Sequence, residues 1–268
     1  MKPSVAGWAK LAPILGMLLS LLSLTCLAQS ASWPTHSQTS GNAFLPPSLK
    51  ALQADAGSNP ISLWLDRGEL AWRDTSTGPS CANCHGAARS LREAVVQHPR
   101  LSADGQRLLN LEDQILACRK RSGKTNDHLE SEEVLALSAL LHQSAQGLSW
   151  QLQAPPGQQA QWQARLVQGT ALYTQRIGRM NLACVHCHDQ NIGKQMRADV
   201  ISPAHPGGFP IYRMSWQGMG SIDRRLRACY SGVQAVIPPA GDLALRDLEL
   251  FLKVRASGLV LDGPSIRR

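Results

Sequence analysis

Apolar residues are densest near the N-terminus, in a run from Leu11 to Leu27 that only small or turn-forming residues interrupt. Lys2 and Lys10 precede this run, and Ala28 follows it at a plausible cleavage point. A basic start, a short apolar segment and a small residue at the cut are typical of a secretory signal peptide. We therefore predict a signal peptide over residues 1–28 and a periplasmic location. Since no later segment approaches transmembrane length, we expect no stable membrane insertion.

Cys26 lies just before the predicted cut and leaves a second interpretation open. Cleavage in front of this residue would make it the acylated first residue of a lipoprotein. Thr25 is a poor residue before such a cysteine, which favours the ordinary signal peptide.

Further along the chain, apolar residues recur at helical spacing in short segments. One segment begins at Ser131, with acids at the next two positions, and runs through Leu141; another begins at Asp242 and runs through Phe251. A capping residue with acids near the first turn is typical of a helix N-terminus. Because strand signals are sparse, the pattern predicts a mainly α fold.

The two halves of the chain repeat one order of segments. Gly68-Glu-Leu-Ala-Trp72 in the first half corresponds to Gly169-Thr-Ala-Leu-Tyr173 in the second. Later in each half, Glu112–Cys118 aligns with Asp223–Cys229, with an acid at the start and an alanine and a lone cysteine at the end. We predict two tandem domains related by internal duplication.

A stretch rich in proline and glutamine separates these halves and contains Pro155-Pro156-Gly157. The predicted organisation after the signal peptide is an N-terminal extension over 29–57, a first domain over 58–150, a linker over 151–160 and a second domain over 161–268. Domains of about a hundred residues are an ordinary size.

The chain is basic, with a formal net charge of +8, or +6 once Lys2 and Lys10 leave with the signal peptide. A basic surface attracts anions and acidic partners. We expect no nucleic-acid binding, because no run of Lys and Arg alternates with aromatic residues and an exported protein does not meet nucleic acid.

The sequence C-x-x-C-H occurs once in each half, as Cys81, Cys84 and His85 and again as Cys184, Cys187 and His188. In this motif two thiols add across the vinyl groups of one porphyrin, and the adjacent histidine binds the iron from below. Zinc sites and thioredoxin-like redox motifs also use C-x-x-C pairs. A histidine directly after both pairs, in an exported chain, favours two covalently bound haem c groups and so two cytochrome c-like domains.

The second axial ligand of a histidine-bound haem c is usually methionine or another histidine. The chain has no methionine between the signal peptide and Met180, which leaves the first haem with Cys118 or a histidine. The candidate histidines are His98, His128 and His142. Cys118 alone has a counterpart at the equivalent place in the second half, Cys229, so we predict these two cysteines as the axial ligands.

Two alternatives concern Cys229. Three methionines, Met196, Met214 and Met219, are rival ligands for the second haem. A disulfide between Cys118 and Cys229 is also compatible with an oxidising compartment.

Arginines are concentrated near Cys229, at positions 213, 224, 225 and 227. On a helix, Arg225 lies one turn before Cys229 on the same face, where the first half has Gln114 before Cys118. A guanidinium binds an oxyanion through two hydrogen bonds and lowers the pKa of a neighbouring thiol. We predict Arg225 as a residue that binds an anionic substrate; for Arg213, pairing with a haem propionate is an equal possibility.

The chain resembles the SoxA family, the dihaem subunits of the SoxAX cytochromes of bacterial sulfur oxidation, through both predicted haem domains and most strongly between Cys184 and Cys229. C-x-x-C-H, Phe-Pro-x-Tyr-Arg, Trp-Gln, Gly-Ser, Arg-Arg and the final cysteine recur there in order. The resemblance implies two cytochrome c domains, His/Cys ligation of both haems by His85 with Cys118 and by His188 with Cys229, and a small cytochrome c partner, SoxX.

The same resemblance implies an L-cysteine S-thiosulfotransferase. Thiosulfate is joined oxidatively to a cysteine of the SoxYZ carrier protein, and two electrons pass through haem to an acceptor cytochrome c. Cys229 would be the catalytic cysteine, found as a persulfide in the family, Arg225 would hold thiosulfate, and Cys118 would be an axial ligand only.

Two other classes of protein remain as alternatives. A dihaem periplasmic electron carrier without substrate chemistry would have methionine or histidine as distal ligands and no use for the arginines beside Cys229. A dihaem peroxidase needs one haem with an open or displaceable distal position, which two axial cysteines disfavour.

Overall fold

The computed structural model of the chain describes residues 38–268, which belong to one compact unit. The predicted signal peptide and the alternative lipidation site Cys26 lie outside the described residues. Within residues 38–268, no helix is long and apolar enough to cross a membrane.

Helices form most of the regular structure in this part of the chain, so the mainly α prediction is confirmed. In chain order they are α1 (Pro47–Ala54), α2 (Ile61–Arg73), α3 (Cys81–His85), α4 (Arg92–Val95), α5 (Leu111–Arg121), α6 (Glu132–Ser144), α7 (Gln159–Thr174), α8 (Cys184–His188), α9 (Ile222–Gly232) and α10 (Leu243–Arg255).

Short strands pair into small sheets between these helices. The strands are β1 (Arg100–Leu101), β2 (Leu108–Leu109), β3 (Gln195–Met196), β4 (Asp199–Val200), β5 (Ile211–Arg213), β6 (Gly218–Gly220) and β7 (Ser265–Arg267). β1 pairs with β2 and β3 pairs with β4, both antiparallel. β5 lies between β6, its antiparallel neighbour, and β7, its parallel neighbour.

The two helices that carry the lone cysteines, α5 and α9, both begin with a side-chain cap. Asn110 and Asp113 exchange hydrogen bonds at the start of α5: the Asp113 amide donates to Asn110 Oδ1 at 2.9 Å, and the Asn110 amide donates to Asp113 Oδ2 at 3.0 Å. At the start of α9, the Arg224 amide donates to Ser221 Oγ at 3.1 Å. Each helix has 11 residues, and its cysteine is the eighth.

The next helices, α6 and α10, begin directly after Ser131 and Asp242, as the capping signals predict. Both have 13 residues and continue past the predicted ends, because a last turn needs backbone hydrogen bonds but no further apolar residue. Asp242 caps α10 by accepting from the Ala244 amide, whereas the Ser131 hydroxyl donates to the His128 carbonyl instead.

Glycine allows two close helix crossings, α2 against α6 and α7 against α10. A Cβ on Gly68 would come within 2.6 Å of the Ala136 carbonyl oxygen. A Cβ on Gly169 would overlap the carbonyl oxygen of Asp247. An aromatic residue follows each glycine by four positions and is buried: Trp72 in the first half and Tyr173 in the second. These crossings position the C-x-x-C-H turns that follow α2 and α7.

Buried side chains from the two predicted domains pack against each other. Leu101 and Leu108 of the first half share one cluster with Trp162 and Leu250 of the second. Part of the predicted N-terminal extension also enters a core, since Leu49 of α1 is buried in a cluster that includes Ile266. The domain limits, with a linker over 151–160, stay predictions.

Candidate functional site

Both C-x-x-C-H motifs form a single helical turn, α3 and α8. The spacing of three residues puts the two cysteines of each turn on one face, and the histidine ends the turn. Ser80 Oγ accepts from the Asn83 amide before α3, at 3.2 Å. Before α8, the Ala183 amide donates to His186 Nδ1 at 2.8 Å, which makes His186 a capping residue.

In the second half, His188 of α8 and Cys229 of α9 meet, and a hydrogen bond joins their side chains. His188 Nδ1 donates to the Ser202 carbonyl oxygen at 2.7 Å, which fixes the orientation of the ring. Because that bond uses Nδ1, the other ring nitrogen is the one available to Cys229. Two residues predicted to bind the same iron therefore converge on one point.

The electrostatic environment of Cys229 differs from that of its neighbour Cys184. Burial acts to raise the pKa of the Cys229 thiol, but Arg225, the hydrogen bond with His188 and Arg213 outweigh it and lower the pKa to about 7. Burial raises the pKa of Cys184 to about 12, and the nearby Cys229 adds to that increase. Since the thiolate is the nucleophile and the metal ligand, this environment favours the reactive form of Cys229.

Arg213 is held beside Cys229 by contacts from several directions. Its Nε donates to Ser215 Oγ at 2.9 Å, its guanidinium lies 5.5 Å from the centre of the Trp216 ring, and one terminal nitrogen is 3.8 Å from Asp199. Burial and the nearby Arg225 lower the pKa of Arg213. Two like charges kept this close favour an anion between them.

The other two arginines singled out from the sequence have different partners. Arg224 lies 4.3 Å from the centre of the Trp216 ring and donates to the Met219 carbonyl oxygen. Arg227 donates through Nε to the Pro238 carbonyl oxygen at 3.0 Å. Of the four arginines, Arg213 and Arg225 are the ones that lower the pKa of Cys229.

Sequence reasoning missed a third arginine of this group, Arg267. The parallel register of β5 and β7 pairs it with Arg213, and burial lowers its pKa to about 10, with Arg225 and Arg213 acting in the same direction. Its terminal nitrogen also donates to Asn42 Oδ1 at 2.8 Å. Only the pairing of two distant strands brings it here, so no local spacing could have indicated it.

In the first half, Cys81, Cys84, His85 and Cys118 line one open cavity of about 810 Å³, a volume that includes space open to solvent. Gln114 Nε2 lies 3.7 Å from Cys118 Sγ, as the helical spacing predicts. Arg121, which the sequence analysis did not single out, donates to the same sulfur at 3.0 Å. The other basic residues of the cavity wall are Arg119 and Lys124, paired with Asp127 and Asp74.

The rival histidine ligands of the first half do not line this cavity. His98 and His142 are buried elsewhere, with Nδ1 at 2.8 Å from the Ala94 carbonyl oxygen and 2.9 Å from the Ser138 carbonyl oxygen. His128 is exposed, and its ring accepts from the Glu130 amide.

The three methionines that are rival ligands to Cys229 differ in their surroundings. Met219 is buried in the core cluster around Leu135 and Ile61, while Met196 and Met214 are exposed. No disulfide joins any two of the six cysteines in residues 38–268, including Cys118 and Cys229.

The residues around both motifs fit a covalently bound haem. The first cavity is open and brings all four candidate haem residues of its half together. In the second half, His205 is buried close to His188, and neither of its ring nitrogens has a hydrogen-bond partner in the described part of the chain. Unpaired buried nitrogens are costly, which indicates that a polar part of a bound group completes this pocket.

Known proteins of one family are similar to this chain. Residues 67–150 match the family of SoxA/TsdA cytochrome c domains. The L-cysteine S-thiosulfotransferase subunit SoxA of Pseudaminobacter salicylatoxidans is 32% identical over 249 residues, which cover 91% of this chain and 86% of that protein. The subunit of the same name from Paracoccus pantotrophus is 29% identical, with 85% of this chain and 78% of that protein covered. The crystal structure of SoxXA from P. pantotrophus superposes with a TM-score of 0.77 at 29% identity, covering 85% of this chain and 86% of that one.

Proposed function

The chain belongs to the SoxA family of L-cysteine S-thiosulfotransferase subunits, and on that premise we propose that Cys229 is its catalytic residue and Arg225 its thiosulfate-binding residue. The reaction joins thiosulfate to a cysteine of a carrier protein and releases two electrons. In the alternative function, electron transfer without substrate chemistry, the cationic groups around Cys229 would have no role.

The observation that carries this proposal is that His188, Arg225 and Arg213 lie near Cys229 and together lower the pKa of its thiol against the effect of burial. One neighbour is a predicted iron ligand, and the other two are cations that match a divalent oxyanion. A thiolate held by cations is a nucleophile that can also form and exchange bonds between sulfur atoms.

Arg225 and Cys229 have separate roles in the proposed reaction. Arg225 holds the thiosulfate oxygens and directs the terminal sulfur toward Cys229 Sγ. A bond forms between these two sulfurs, the thiol proton is released, and two electrons pass, one at a time, to the acceptor cytochrome c. The carrier cysteine, as a thiolate, then attacks the terminal thiosulfate sulfur, breaks its bond to Cys229 and frees the Cys229 thiolate.

The haem groups would be held by Cys81 and Cys84 in the first half and by Cys184 and Cys187 in the second. The axial ligands would be His85 with Cys118 and His188 with Cys229. When bound, haem supplies an iron that accepts and passes on single electrons. The cavity lined by the first motif and the unpaired ring nitrogens of His205 near the second motif support two haem c groups.

An internal duplication accounts for several equivalent features. α5 and α9 have the same length with the cysteine at the same position, and α6 and α10 also match in length. The Gly68 contact on Ala136 corresponds to the Gly169 contact on Asp247, since Ala136 and Asp247 are each the fifth residue of their helix. We propose two cytochrome c domains that descend from one.

The partners follow from the family. The P. pantotrophus structure bears the name SoxXA, which supports a small SoxX-like cytochrome c as the partner subunit of this chain. We also propose a SoxYZ-like carrier protein, an acceptor cytochrome c and a periplasmic location.

Replacement of Cys229 by serine tests the proposal. We expect the Cys229→Ser protein to keep both covalent haems, measured by haem staining and mass, and to lose thiosulfate-dependent turnover with the carrier protein. Full turnover in this variant would show that Cys229 is not the catalytic residue, whereas the absence of such turnover in the wild-type protein would favour an electron carrier.

A further inference from the structure

Helix α10 carries a buried stripe of charged residues that faces the first half of the molecule. Arg246, Glu249 and Lys253 are each 1–4% exposed. Glu249 Oε2 accepts from Asn110 Nδ2 at 3.0 Å, and Lys253 Nζ donates to the His98 carbonyl oxygen at 3.1 Å. The third member, Arg246, makes the contacts that matter for the site.

The Arg246 guanidinium joins two helices that do not follow one another in sequence. Its Nε and one terminal nitrogen donate to the two carboxylate oxygens of Asp113 on α5, at 2.6 and 3.0 Å. The other terminal nitrogen donates to Asp223 Oδ2 on α9, at 2.8 Å. One side chain thus donates hydrogen bonds to a carboxylate on each of the two cysteine-bearing helices.

The two aspartates lie in the first turns of their helices and are themselves fixed. Asp113 accepts from the Asn110 amide, and Asp223 accepts from the Gly241 amide at 3.0 Å. Cys118 and Cys229 follow on the same helices, five and six residues further on. Since a short helix moves as a rigid element, a shift of its first turn also shifts its cysteine.

We propose that Arg246 is a positioning residue that sets the placement of Cys118 and Cys229 together. This inference rests on the proposed axial role of both cysteines. The planar fork of arginine serves two carboxylates at fixed angles, which the single ammonium of lysine does not.

The first half shows that the fold does not need a charge at this place. Arg246 is the fourth residue of α10, and the fourth residue of the matching helix α6 is Leu135, which is fully buried in an apolar cluster. A buried ion pair is weak evidence for a gain in stability, and in some proteins such pairs specify one arrangement of the elements they join. A buried arginine at this place therefore favours a role in positioning α5 and α9 over a contribution to the free energy of unfolding.

The test uses the full protein with its haems and low-temperature electron paramagnetic resonance of the oxidised state. Arg246→Met alone leaves two buried carboxylates unpaired and endangers folding, so it is combined with Asp113→Asn and Asp223→Asn. Arg246→Lys is the second variant, which keeps the charge. Arg165→Met is the control, because Arg165 contacts Asp247 of α10 but neither cysteine-bearing helix.

We expect the triple variant to keep both covalent haems while both thiolate-haem signals shift or split into several species. Arg246→Lys should change both signals to a smaller extent, and Arg165→Met should leave both at their wild-type positions. Wild-type signals in either Arg246 variant, or a change confined to one haem, would overturn the inference. If the wild-type protein lacks thiolate-haem signals, the proposed ligation itself fails, which is a different result.

Discussion

The guanidinium of Arg121 lies 3.0 Å from Cys118 Sγ, one helical turn beyond it on α5. A cationic donor withdraws negative charge from a thiolate and so favours the reduced form of an iron that the thiolate binds. The second half has no arginine at the matching place, since Gly232 ends α9 there. The two sites are thus built on similar helices but differ in the groups that stabilise the sulfur.

Arg121→Gln should lower the reduction potential of the first haem by roughly 20–60 mV, which corresponds to about 0.5–1.5 kcal/mol for one hydrogen bond and one electron. A spectroelectrochemical titration measures this shift. Arg107→Gln removes the same charge from the exposed β1–β2 hairpin and is the control. An equal shift in both variants would show that only net charge matters.

Arg225→Gln should raise the KM for thiosulfate roughly 10- to 100-fold, because a hydrogen bond between charged groups contributes about 1.5–3 kcal/mol. Steady-state turnover at varied thiosulfate concentration measures the effect. Arg227→Gln is the matched control on the same helix, where the side chain donates to the Pro238 carbonyl oxygen. If both variants have the same KM, Arg225 is not the anion-binding residue.

Gly68→Ala should reduce the free energy of unfolding by about 1–3 kcal/mol, the usual cost of overpacking. The new methyl carbon would lie 2.6 Å from the Ala136 carbonyl oxygen, so α2 and α6 must move apart. Denaturant unfolding followed by circular dichroism measures the loss. Gly232→Ala, where a Cβ meets nothing within 4 Å, should not destabilise the protein; a similar loss there would contradict the packing argument.

The free energy of unfolding should decrease between pH 6.5 and pH 4 because of His98. Burial lowers the pKa of His98 to about 4, with Lys253 and Arg100 acting in the same direction, whereas the unfolded value is about 6.5. The unfolded chain therefore binds a proton in this window that the folded chain does not, and stability falls by roughly 1.4 kcal/mol per pH unit as the pH decreases.

Two other buried groups, His142 and Glu112, also change the pH dependence of stability in this range. Burial also lowers the pKa of His142 to about 4, and burial beside Glu249 raises the pKa of Glu112, which gives the opposite slope. The comparison is therefore wild type against His98→Asn, by urea unfolding at several pH values. We expect a shallower acid-side loss in the variant, and parallel curves would refute the assignment.

Local sequence was enough to predict the helices that carry the chemistry. The motif turns need only five consecutive residues, and α6 and α10 begin directly after Ser131 and Asp242, although only Asp242 caps its helix through its side chain. The placement of Arg225 one turn before Cys229 also follows from helical spacing alone. These features depend on neighbours in the chain, which a sequence pattern contains directly.

What could not be predicted depends on distant segments. Arg267 joins the arginine group because β7 pairs with β5, and Arg246 of α10 contacts Asp113, which lies 133 positions earlier in the chain. The strands are only two or three residues long, too short to give an alternating pattern. The packing of the two halves likewise depends on buried contacts such as Leu101 with Trp162, which no spacing indicates.

The central claim is that Cys118 and Cys229 are the distal ligands of two haems and that Cys229 also performs the sulfur chemistry. The most direct measurement is low-temperature electron paramagnetic resonance of the oxidised protein beside its Cys118→Met and Cys229→Met variants. We predict two low-spin ferric signals of the histidine/thiolate type, with one lost in each variant. Signals of the His/Met or bis-His type that persist unchanged in both variants would contradict the account.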